Sequence, residues 1–371
     1  MHKAIQNQVS SAPSKWGESL INALTSKVLA FTGSQRYLTI QLDITNACNL
    51  RCVHCYHPDH KNDGALSYDD WQKIIDQYSA LLTKLHLKPA ITICGGEPMT
   101  TPYLKPLFEN LNARWPGVDI TILTNGTVVR ADMIEMFKNS GVHFQVSVDG
   151  PDEARHDAIR GTGNFARTLR GIEWFRRSGL EVYLQGVLSQ KTEGWVPEFF
   201  DLAKALGVES MNFTRFIPEG YGSSLLNTGG DRPLNPGEIR SAMEAILLHS
   251  KRTGVKTNTD QPLYATIDPS LGRHGMFGFQ GLIVDYKGNL KVSSRSGFIL
   301  GNIFEKGMEN LFLNHPLMRS LRNGEIDGCG GCEFYRRCGG NRTAAYATSG
   351  SFLAPDPGCW LLEDKTQRRV S

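Results

Sequence analysis

The sequence predicts an α/β fold built on a partial (β/α)6 barrel, followed by a C-terminal extension that is rich in cysteine. Short apolar strand patterns alternate with helical patterns six times between residues 38 and 214. Six units fall short of the eight units of a closed barrel, so we expect an open, curved sheet. Such units imply parallel strands with right-handed crossovers, and functional groups then collect at the C-terminal ends of the strands.

The first strand is predicted where Leu38, Ile40, Leu42 and Ile44 alternate with polar residues. The first helix of the barrel is predicted to begin after Ser67, a typical N-cap residue. The further strands are predicted at residues 90–94, 119–124, 144–148, 182–188 and 210–214. The helices between them are predicted at residues 67–85, 102–115, 131–139, 164–178 and 195–206.

After the sixth strand the pattern changes, and residues 216–232 are predicted to form a loop because they are rich in Gly, Pro and Ser. A helix at 235–251, a hairpin of residues 282–285 and 289–292, and a helix at 311–322 are predicted to follow. We expect four segments: a polar lead with a short helix (1–36), the barrel (37–220), a linker with a helix (221–275) and the Cys-rich segment (276–371).

Composition excludes several classes of function. The 371 residues carry 40 Lys and Arg against 37 Asp and Glu, a net charge of +3 that gives no argument for nucleic acid or an acidic membrane as the main partner. No stretch resembles a membrane-spanning helix or the apolar core of a signal peptide, so we expect a cytoplasmic protein. Eight cysteines in a reducing compartment indicate metal binding or catalysis rather than disulfides.

Three of these cysteines, Cys48, Cys52 and Cys55, follow the first strand with the spacing C-x3-C-x2-C. Structural zinc takes four ligands, so three thiolates leave one position open. A cubane iron–sulfur cluster held by three cysteines has one iron free for another ligand. The alternative is a zinc site completed by a histidine, with these candidates: His54, His57 and His60.

Further motifs follow the next strands. Cys94-Gly95-Gly96-Glu97-Pro98 follows the second strand, and its glycines permit close backbone approach while its carboxylate can accept from an ammonium group. Thr124-Asn125-Gly126 follows the third strand, and Ser147-Val148-Asp149-Gly150 follows the fourth. With these motifs in this order, residues 38–215 resemble the radical S-adenosylmethionine (radical SAM) superfamily, whose fold is a TIM-like partial barrel.

The resemblance implies a [4Fe–4S] cluster on Cys48, Cys52 and Cys55, whose unique iron chelates S-adenosylmethionine (SAM). Reductive cleavage of SAM then yields a 5′-deoxyadenosyl radical that abstracts a substrate hydrogen. The resemblance implies these cofactor-binding residues: Tyr56, Gly95, Gly96, Glu97, Asn125, Ser147, Asp149 and Arg160. Glu97 corresponds to the residue that binds the methionine amino group, and Arg160 to an arginine that pairs with the carboxylate.

The remaining residues near this motif are expected to have other roles. Cys94 ends a buried strand and is expected to be a packed thiol rather than a ligand. His54 stands where the family prefers an aromatic residue near the adenine, so stacking or packing is expected there. His57 and His60 are expected to be solvated loop residues.

The other four cysteines, Cys329, Cys332, Cys338 and Cys359, are enough to ligate either a zinc ion or an iron–sulfur cluster, and spacing alone does not separate the two. After a radical SAM core, this pattern resembles the SPASM/twitch-like extension, which implies an auxiliary [4Fe–4S] cluster. The full SPASM pattern has seven cysteines and two auxiliary clusters, but Ser293 and Arg342 stand at two of the cysteine positions. We therefore expect two clusters in total, with the auxiliary cluster serving electron transfer or structural support.

SPASM-type enzymes mostly modify peptides or proteins, so oxidation or cross-linking of a peptide is the first expectation. Radical modification of a small molecule such as a tetrapyrrole precursor is the alternative, and a non-enzymatic Cys-rich metal scaffold is the lesser one. The resemblance implies a flavodoxin- or ferredoxin-type electron donor and allows a precursor peptide with a separate recognition protein. No acid or base residue is identified. The candidate substrate-lining residues are Gln185, Asn212, Arg215, Glu219 and Tyr221.

Overall fold

The computed structural model describes residues 37–57, 59–138, 140–273 and 281–362. Its centre is a nine-stranded sheet with the order β6-β5-β4-β3-β2-β1-β7-β8-β9. The six strands predicted for the barrel are present and pair in parallel, in chain order from β1 to β6. The predicted partial (β/α)6 barrel is therefore confirmed, whereas the N-terminal lead and helix predicted for 1–36 lie outside the described residues.

The strands are β1 (Tyr37–Asp43), β2 (Lys88–Cys94), β3 (Asp119–Thr124), β4 (Val142–Ser147), β5 (Glu181–Leu188), β6 (Ser210–Arg215), β7 (Leu282–Val284), β8 (Asn289–Lys291) and β9 (Gly301–Asn302). The helices are α1 (Tyr68–Leu85), α2 (Leu104–Arg114), α3 (Ala131–Phe137), α4 (Glu153–Arg160), α5 (Asn164–Arg177), α6 (Val196–Leu206), α7 (Gly222–Thr228), α8 (Pro236–Thr253), α9 (Tyr264–Ile267), α10 (Ile303–Lys306), α11 (Met308–Asn314), α12 (Pro316–Asn323) and α13 (Arg342–Ser349).

Local sequence explains where these elements begin and which face they bury. Ser67 caps α1 through a capping box in which its hydroxyl accepts from the Asp70 amide and the Asp70 carboxylate accepts from the Ser67 amide. Asn235 and Glu238 form the same box at α8. Along β1 the alternating apolar side chains are buried, with Leu38 fully inside the core. Helices α1 to α6 cover the sheet because each strand must return to the same edge through a crossover.

The predicted hairpin is present, but it is not separate from the barrel. Strand β7 pairs in parallel with β1, with Ile40 opposite Leu282, and β8 then pairs antiparallel with β7. The hairpin therefore extends the barrel sheet at its β1 edge, and the turn between β7 and β8 lies at the edge where the barrel strands end.

Five of the described helices were not predicted. Helix α4 lies between the fourth strand and the helix predicted at 164–178, and α7 lies within the segment predicted to be a loop. The other three are the short helices α9 and α10 and the helix α13 of the Cys-rich segment. The helix predicted at 311–322 is two helices, because Pro316 cannot continue α11 and instead begins α12. Among the described helices, none has the length and apolar character needed to cross a membrane.

Candidate active site

The Cys48–Cys55 loop begins directly after β1 and is held by backbone hydrogen bonds from the loop after β2. The Gly96 amide donates to the Thr45 carbonyl at 2.7 Å, and the Glu97 amide donates to the Ala47 carbonyl at 2.9 Å. A Cβ atom on Gly96 would lie 2.3 Å from the Ala47 carbonyl oxygen, which is far inside contact distance. The close approach of these two backbone segments therefore requires glycine at this position, whether or not a ligand is bound.

The thiols of Cys48, Cys52 and Cys55 are half-buried and line one cavity of about 460 Å³ at the C-terminal ends of the barrel strands. Burial raises the pKa of Cys55 to about 11, so a nearby positive charge such as that of iron is needed to hold this side chain as a thiolate at neutral pH. Within the described part of the chain, no three His, Cys, Asp or Glu side chains are grouped closely enough to hold a single metal ion.

Glu97 lies under the cavity floor rather than on its surface. Its carboxylate is fully buried and accepts hydrogen bonds from the Met99 amide at 3.0 Å, the Thr124 hydroxyl at 2.7 Å and the Asn125 amide at 2.7 Å. Burial raises the pKa of Glu97, and these three donors oppose the rise. Glu97 therefore joins the loop after β2 to the loop after β3.

Asn125 extends this connection to the cysteine loop. Its side-chain amide donates to the Asn49 side-chain oxygen at 2.9 Å and lies 4.0 Å from the Cys48 sulfur. The Thr168 hydroxyl donates to the Asn125 carbonyl at 2.9 Å, which fixes the backbone from the α5 side. Asn125 is thus placed beside the first cysteine of the motif, on the cavity wall.

A second group of interacting polar side chains consists of Asp149, Arg160 and His54. The Asp149 carboxylate accepts from Arg160 Nε at 2.5 Å, lies 2.7 Å from His54 Nε2 and accepts from the Val187 amide at 3.0 Å. Burial acts to raise the pKa of Asp149, but the Arg160 charge and His54 outweigh it and hold the pKa well below its usual range. The Arg160 charge also acts on Cys52 and Cys55. His54 thus packs against a carboxylate, and it also lines the cavity.

The remaining residues of the implied cofactor set differ in how they face the cavity. Gly95, Ser147 and Tyr56 line it, and burial raises the pKa of Tyr56 well above its usual value. Cys94 is buried at the end of β2, and burial raises its pKa as well. His57 and His60 also line the cavity. His57 Nε2 and both ring nitrogens of His60 are buried without a hydrogen-bond partner among the described residues, so the prediction of solvated histidines is wrong.

Two of the five candidate substrate residues, Gln185 and Arg215, line the cavity. The Arg215 guanidinium donates to both carboxylate oxygens of Asp356, at 2.9 and 2.6 Å. Asn212 instead donates to the Ser210 hydroxyl and accepts from the Asn258 amide. Neither Glu219 nor Tyr221 is among the residues that line the described cavity, and the Tyr221 ring stacks on His60 instead.

Sequence reasoning did not identify several other lining residues. Gln145, Ser294, Arg295 and Thr343 line the same cavity. Gln145 lies on the face of β4 that alternates with the buried residues, and this face lines the cavity. The strand pattern could have indicated this position. Ser294, Arg295 and Thr343 are far from the barrel in sequence, and they reach the cavity only because the β7–β8 hairpin joins the barrel sheet.

The four C-terminal cysteines line a second, much smaller cavity of about 20 Å³. The Leu263 amide donates to the Cys338 sulfur at 3.2 Å, and an Arg342 nitrogen lies 3.8 Å from the Cys329 sulfur. Burial raises the pKa of Cys338 to about 11. Cys329, Cys332, Cys338 and Cys359 all line this one space, and their role as metal ligands stays a prediction.

The two positions where the resemblance expects cysteine are occupied by polar residues with partners inside the protein. The Ser293 hydroxyl is buried and accepts from the Thr343 hydroxyl at 2.9 Å. The Arg342 side chain is fully buried and donates to the carbonyls of Phe352 at 3.2 Å and Ala354 at 2.6 Å. Arg342 therefore serves the C-terminal segment as a hydrogen-bonding centre.

Comparison with known proteins decides the family. A sequence profile described as the radical SAM superfamily matches residues 42–203, which include the end of β1, the cysteine loop and strands β2 to β5. Residues 42–203 form a radical SAM domain. The protein is a radical SAM enzyme, and this family implies SAM and a [4Fe–4S] cluster as cofactors.

The similar sequences include two kinds of enzyme. The AdoMet-dependent heme synthase of Methanosarcina barkeri is 28% identical over 360 residues, covering 90% of this chain and 98% of that protein. The mycofactocin maturase MftC of Mycobacterium ulcerans is 28% identical over 330 residues, covering 85% of this chain and 86% of that protein.

Among solved structures, Streptococcus suis SuiB bound to its precursor peptide SuiA has a TM-score of 0.68 at 16% identity, covering 97% of this chain and 84% of SuiB. The enzyme anSMEcpe, solved with AdoMet and a peptide, has a TM-score of 0.66 at 18% identity, covering 89% of this chain and 96% of anSMEcpe. At these identities the likeness shows the fold.

Proposed function

We propose that this radical SAM enzyme oxidises or cross-links a peptide or protein substrate in the cavity at the C-terminal ends of the barrel strands. The observation that carries the proposal is the cavity itself, where the three thiols of the C-x3-C-x2-C loop meet residues from the other five barrel strands. The peptide substrate is supported by the similarity to MftC and by the fold shared with SuiB, which was solved with its precursor peptide.

The cluster ligands in this proposal are Cys48, Cys52 and Cys55. The three thiols lie on one loop and line one cavity, and their burial disfavours free thiolates, so the loop suits a cationic iron centre. The Arg160 charge acts on Cys52 and Cys55, and it would stabilise the thiolates further. When bound, the cluster and SAM together supply the electron and the 5′-deoxyadenosyl radical for hydrogen abstraction.

The proposed SAM site is the cavity wall beside this loop, formed by Tyr56, Gly95, Gly96, Asn125 and Ser147. Glu97 and Asp149 belong to the same proposed set but act from behind the wall. Glu97 fixes the Asn125 amide, and Asp149 fixes Arg160 and His54, so both carboxylates orient the groups that face the cofactor.

We also propose an auxiliary [4Fe–4S] cluster on Cys329, Cys332, Cys338 and Cys359. Four cysteine ligands leave no iron open, so the expected role is electron transfer or support of the C-terminal segment. The reductant would be a flavodoxin- or ferredoxin-type protein, and a precursor peptide could be presented by a separate recognition protein. With the proposed domain limits, the barrel (37–220) holds one cluster and the Cys-rich segment (276–371) holds the other.

A second candidate substrate is a tetrapyrrole. It is supported by the AdoMet-dependent heme synthase of M. barkeri, whose sequence aligns over 98% of its length with this chain. The same radical chemistry would serve, because hydrogen abstraction is common to both substrates.

The test begins with protein reconstituted without oxygen and assayed for iron, sulfide and zinc. A chain with two clusters should contain about eight irons. One cluster would give about four irons, and three clusters would give about twelve. Reduced protein is then assayed for 5′-deoxyadenosine; fully loaded protein that fails to cleave SAM would refute the enzymatic proposal and favour a metal scaffold. Cys94→Ala is the matched control, since it removes a buried thiol that is outside both proposed ligand sets.

To separate the substrates, the loaded enzyme is given peptides encoded near its gene or a tetrapyrrole, and the products are analysed by mass spectrometry. Loss of hydrogen atoms or a new cross-link in the peptide supports the first proposal. Conversion of the tetrapyrrole, with the peptides unchanged, replaces it with the second.

A further inference from the structure

Arg295 crosses the open side of the barrel. It lies in the loop after β8, and its Nη1 donates to the Thr214 hydroxyl at 2.7 Å and to the Arg215 carbonyl at 3.1 Å. Strand β6 is at one end of the sheet and β8 is near the other, so this side chain connects the two ends across the cavity. Arg295 also lines the cavity in which substrate would bind.

The charge of Arg295 differs from the other two arginine charges at this cavity. Arg160 is paired with Asp149, and Arg215 is paired with both oxygens of Asp356. Arg295 has only neutral hydrogen-bond acceptors, and no Asp or Glu is among the cavity-lining residues in the described part of the chain. Burial lowers the pKa of Arg295, Tyr56 acts against this shift and Arg215 adds to it, and no carboxylate is among these causes.

Arg295 lies beside the end of β6, where it contacts Thr214 and Arg215. Neutral polar side chains complete its side of the cavity, among them Gln185, Ser293 and Thr343. One unpaired cation surrounded by neutral donors suits a group with a single negative charge and two oxygens, because a guanidinium matches a carboxylate with paired hydrogen bonds.

We propose that the substrate carries a carboxylate and that Arg295 binds it on the side of the cavity formed by the ends of β6 and β8. This inference rests on the proposed function, since it assumes that the substrate enters this cavity. A phosphate is disfavoured because its second charge would call for a second unpaired cation. The carboxylate could belong to an acidic residue of a peptide or to a side chain of a small molecule, and these two sources share the same recognition chemistry.

The test measures binding of two matched probe pairs to reconstituted, SAM-bound protein by equilibrium dialysis. One pair is coproporphyrin III, which carries carboxylate side chains, and its methyl ester. The other is a blocked pentapeptide with a central Glu and the same peptide with Gln. We expect the wild type to bind the acid form of one pair at least about tenfold more tightly than the neutral form, because a charge-assisted pair replaces water. The probe pair that shows this preference identifies whether the carboxylate belongs to a small molecule or to a peptide.

Arg295→Gln is expected to remove this preference, and Arg295→Lys is expected to keep part of it because the charge remains. Each variant is first checked for native melting behaviour, and Arg295→Lys carries the test if Arg295→Gln does not fold. The control is Arg177→Gln, which removes an exposed arginine on α5 that pairs with Glu173. It is expected to bind both probe pairs as the wild type does.

Equal binding of the acid and neutral forms by the wild type in both pairs, including no binding of either, overturns the proposal. A full acid preference in Arg295→Gln also overturns it. Measurements on the wild type distinguish failure of this inference from failure of the proposed function. If it cleaves SAM but does not prefer the acid forms, only the carboxylate site fails. If it shows the preference through Arg295 but cannot cleave SAM, the carboxylate site stands and the proposed function fails.

Discussion

Arg215 at the end of β6 and Asp356 near the C-terminus form a buried ion pair with two hydrogen bonds, of 2.9 and 2.6 Å. The Asp356 carboxylate also accepts from the Asn341 amide at 2.7 Å. This one carboxylate therefore joins the barrel to the segment that carries Cys338 and Cys359. The barrel and the second cysteine set are mechanically connected through it.

We expect Asp356→Asn to destabilise the protein by about 3–5 kcal/mol, because it leaves Arg215 buried without its counter-charge. It should also lower the iron content toward that of a single cluster, since the loop that holds Cys338 loses an anchor. Denaturant unfolding and iron analysis measure the two effects. The control is Arg252→Gln, which removes the exposed pair with Asp201 and should cost less than about 1 kcal/mol. Equal effects of the two variants would contradict the structural role of the buried pair.

Gly96→Ala should displace the cysteine loop, because the added Cβ would lie 2.3 Å from the Ala47 carbonyl oxygen. We expect loss of iron at the first cluster and at least a tenfold (about 1.4 kcal/mol) loss of SAM cleavage, measured as 5′-deoxyadenosine. Gly194→Ala is the matched control, since a Cβ there meets no atom within 4 Å and its backbone is ordinary. Retained iron and cleavage in Gly96→Ala would mean that the loop tolerates the displacement.

The barrel could be predicted because its signals are local. Alternating apolar residues such as those around Ile40, and cap residues such as Ser67, act within a few positions of the chain. The cysteine spacing and the motifs at the strand ends were likewise visible. The order of these motifs along the chain matches the order of the strands in the sheet, so sequence position translated directly into spatial position.

Other parts of the site could not be predicted because they depend on long-range contacts. Arg295 reaches Thr214 only because β7 pairs with β1, and nothing local to the hairpin specifies that pairing. The fully satisfied carboxylate of Glu97 is a similar case, since its donors Thr124 and Asn125 come from the next βα unit. Buried polar groups of this kind are fixed by tertiary structure, and the sequence shows only that they are polar.

His156 should make stability depend on pH. Its ring is fully buried against Phe165 with both nitrogens unpartnered, and burial, aided by the Arg160 charge, lowers its pKa to about 4. An unfolded histidine has a pKa of about 6.5, so the folded state binds fewer protons below that value. The stabilising contribution of the neutral ring is therefore fully present above pH 6.5 and is lost as the pH falls toward 4.

His156→Phe removes this titration while keeping an aromatic ring of similar size. Between pH 6.5 and 5, the wild type should lose about 2 kcal/mol more unfolding free energy than the variant does. The measurement is urea unfolding at several pH values. Any contribution of His57, whose pKa burial also lowers to about 4, is present in both proteins and cancels in the difference. Parallel pH profiles would show that His156 has the same pKa in the folded and unfolded states.

Substitutions in the two cysteine sets should have different effects on iron content and on SAM cleavage. Cys52→Ala removes one of three ligands from a site that already leaves one iron open, so we expect loss of that cluster and no measurable SAM cleavage. Cys332→Ala should release the auxiliary iron but keep part of the cleavage, because Cys332 lines only the second cavity and lies apart from the residues around Cys52. Iron content, Mössbauer or EPR spectra and 5′-deoxyadenosine yield distinguish the two. Normal cleavage by both variants would refute the assignment of both sites, and complete loss in both would mean that the auxiliary site is needed for the first cluster to form.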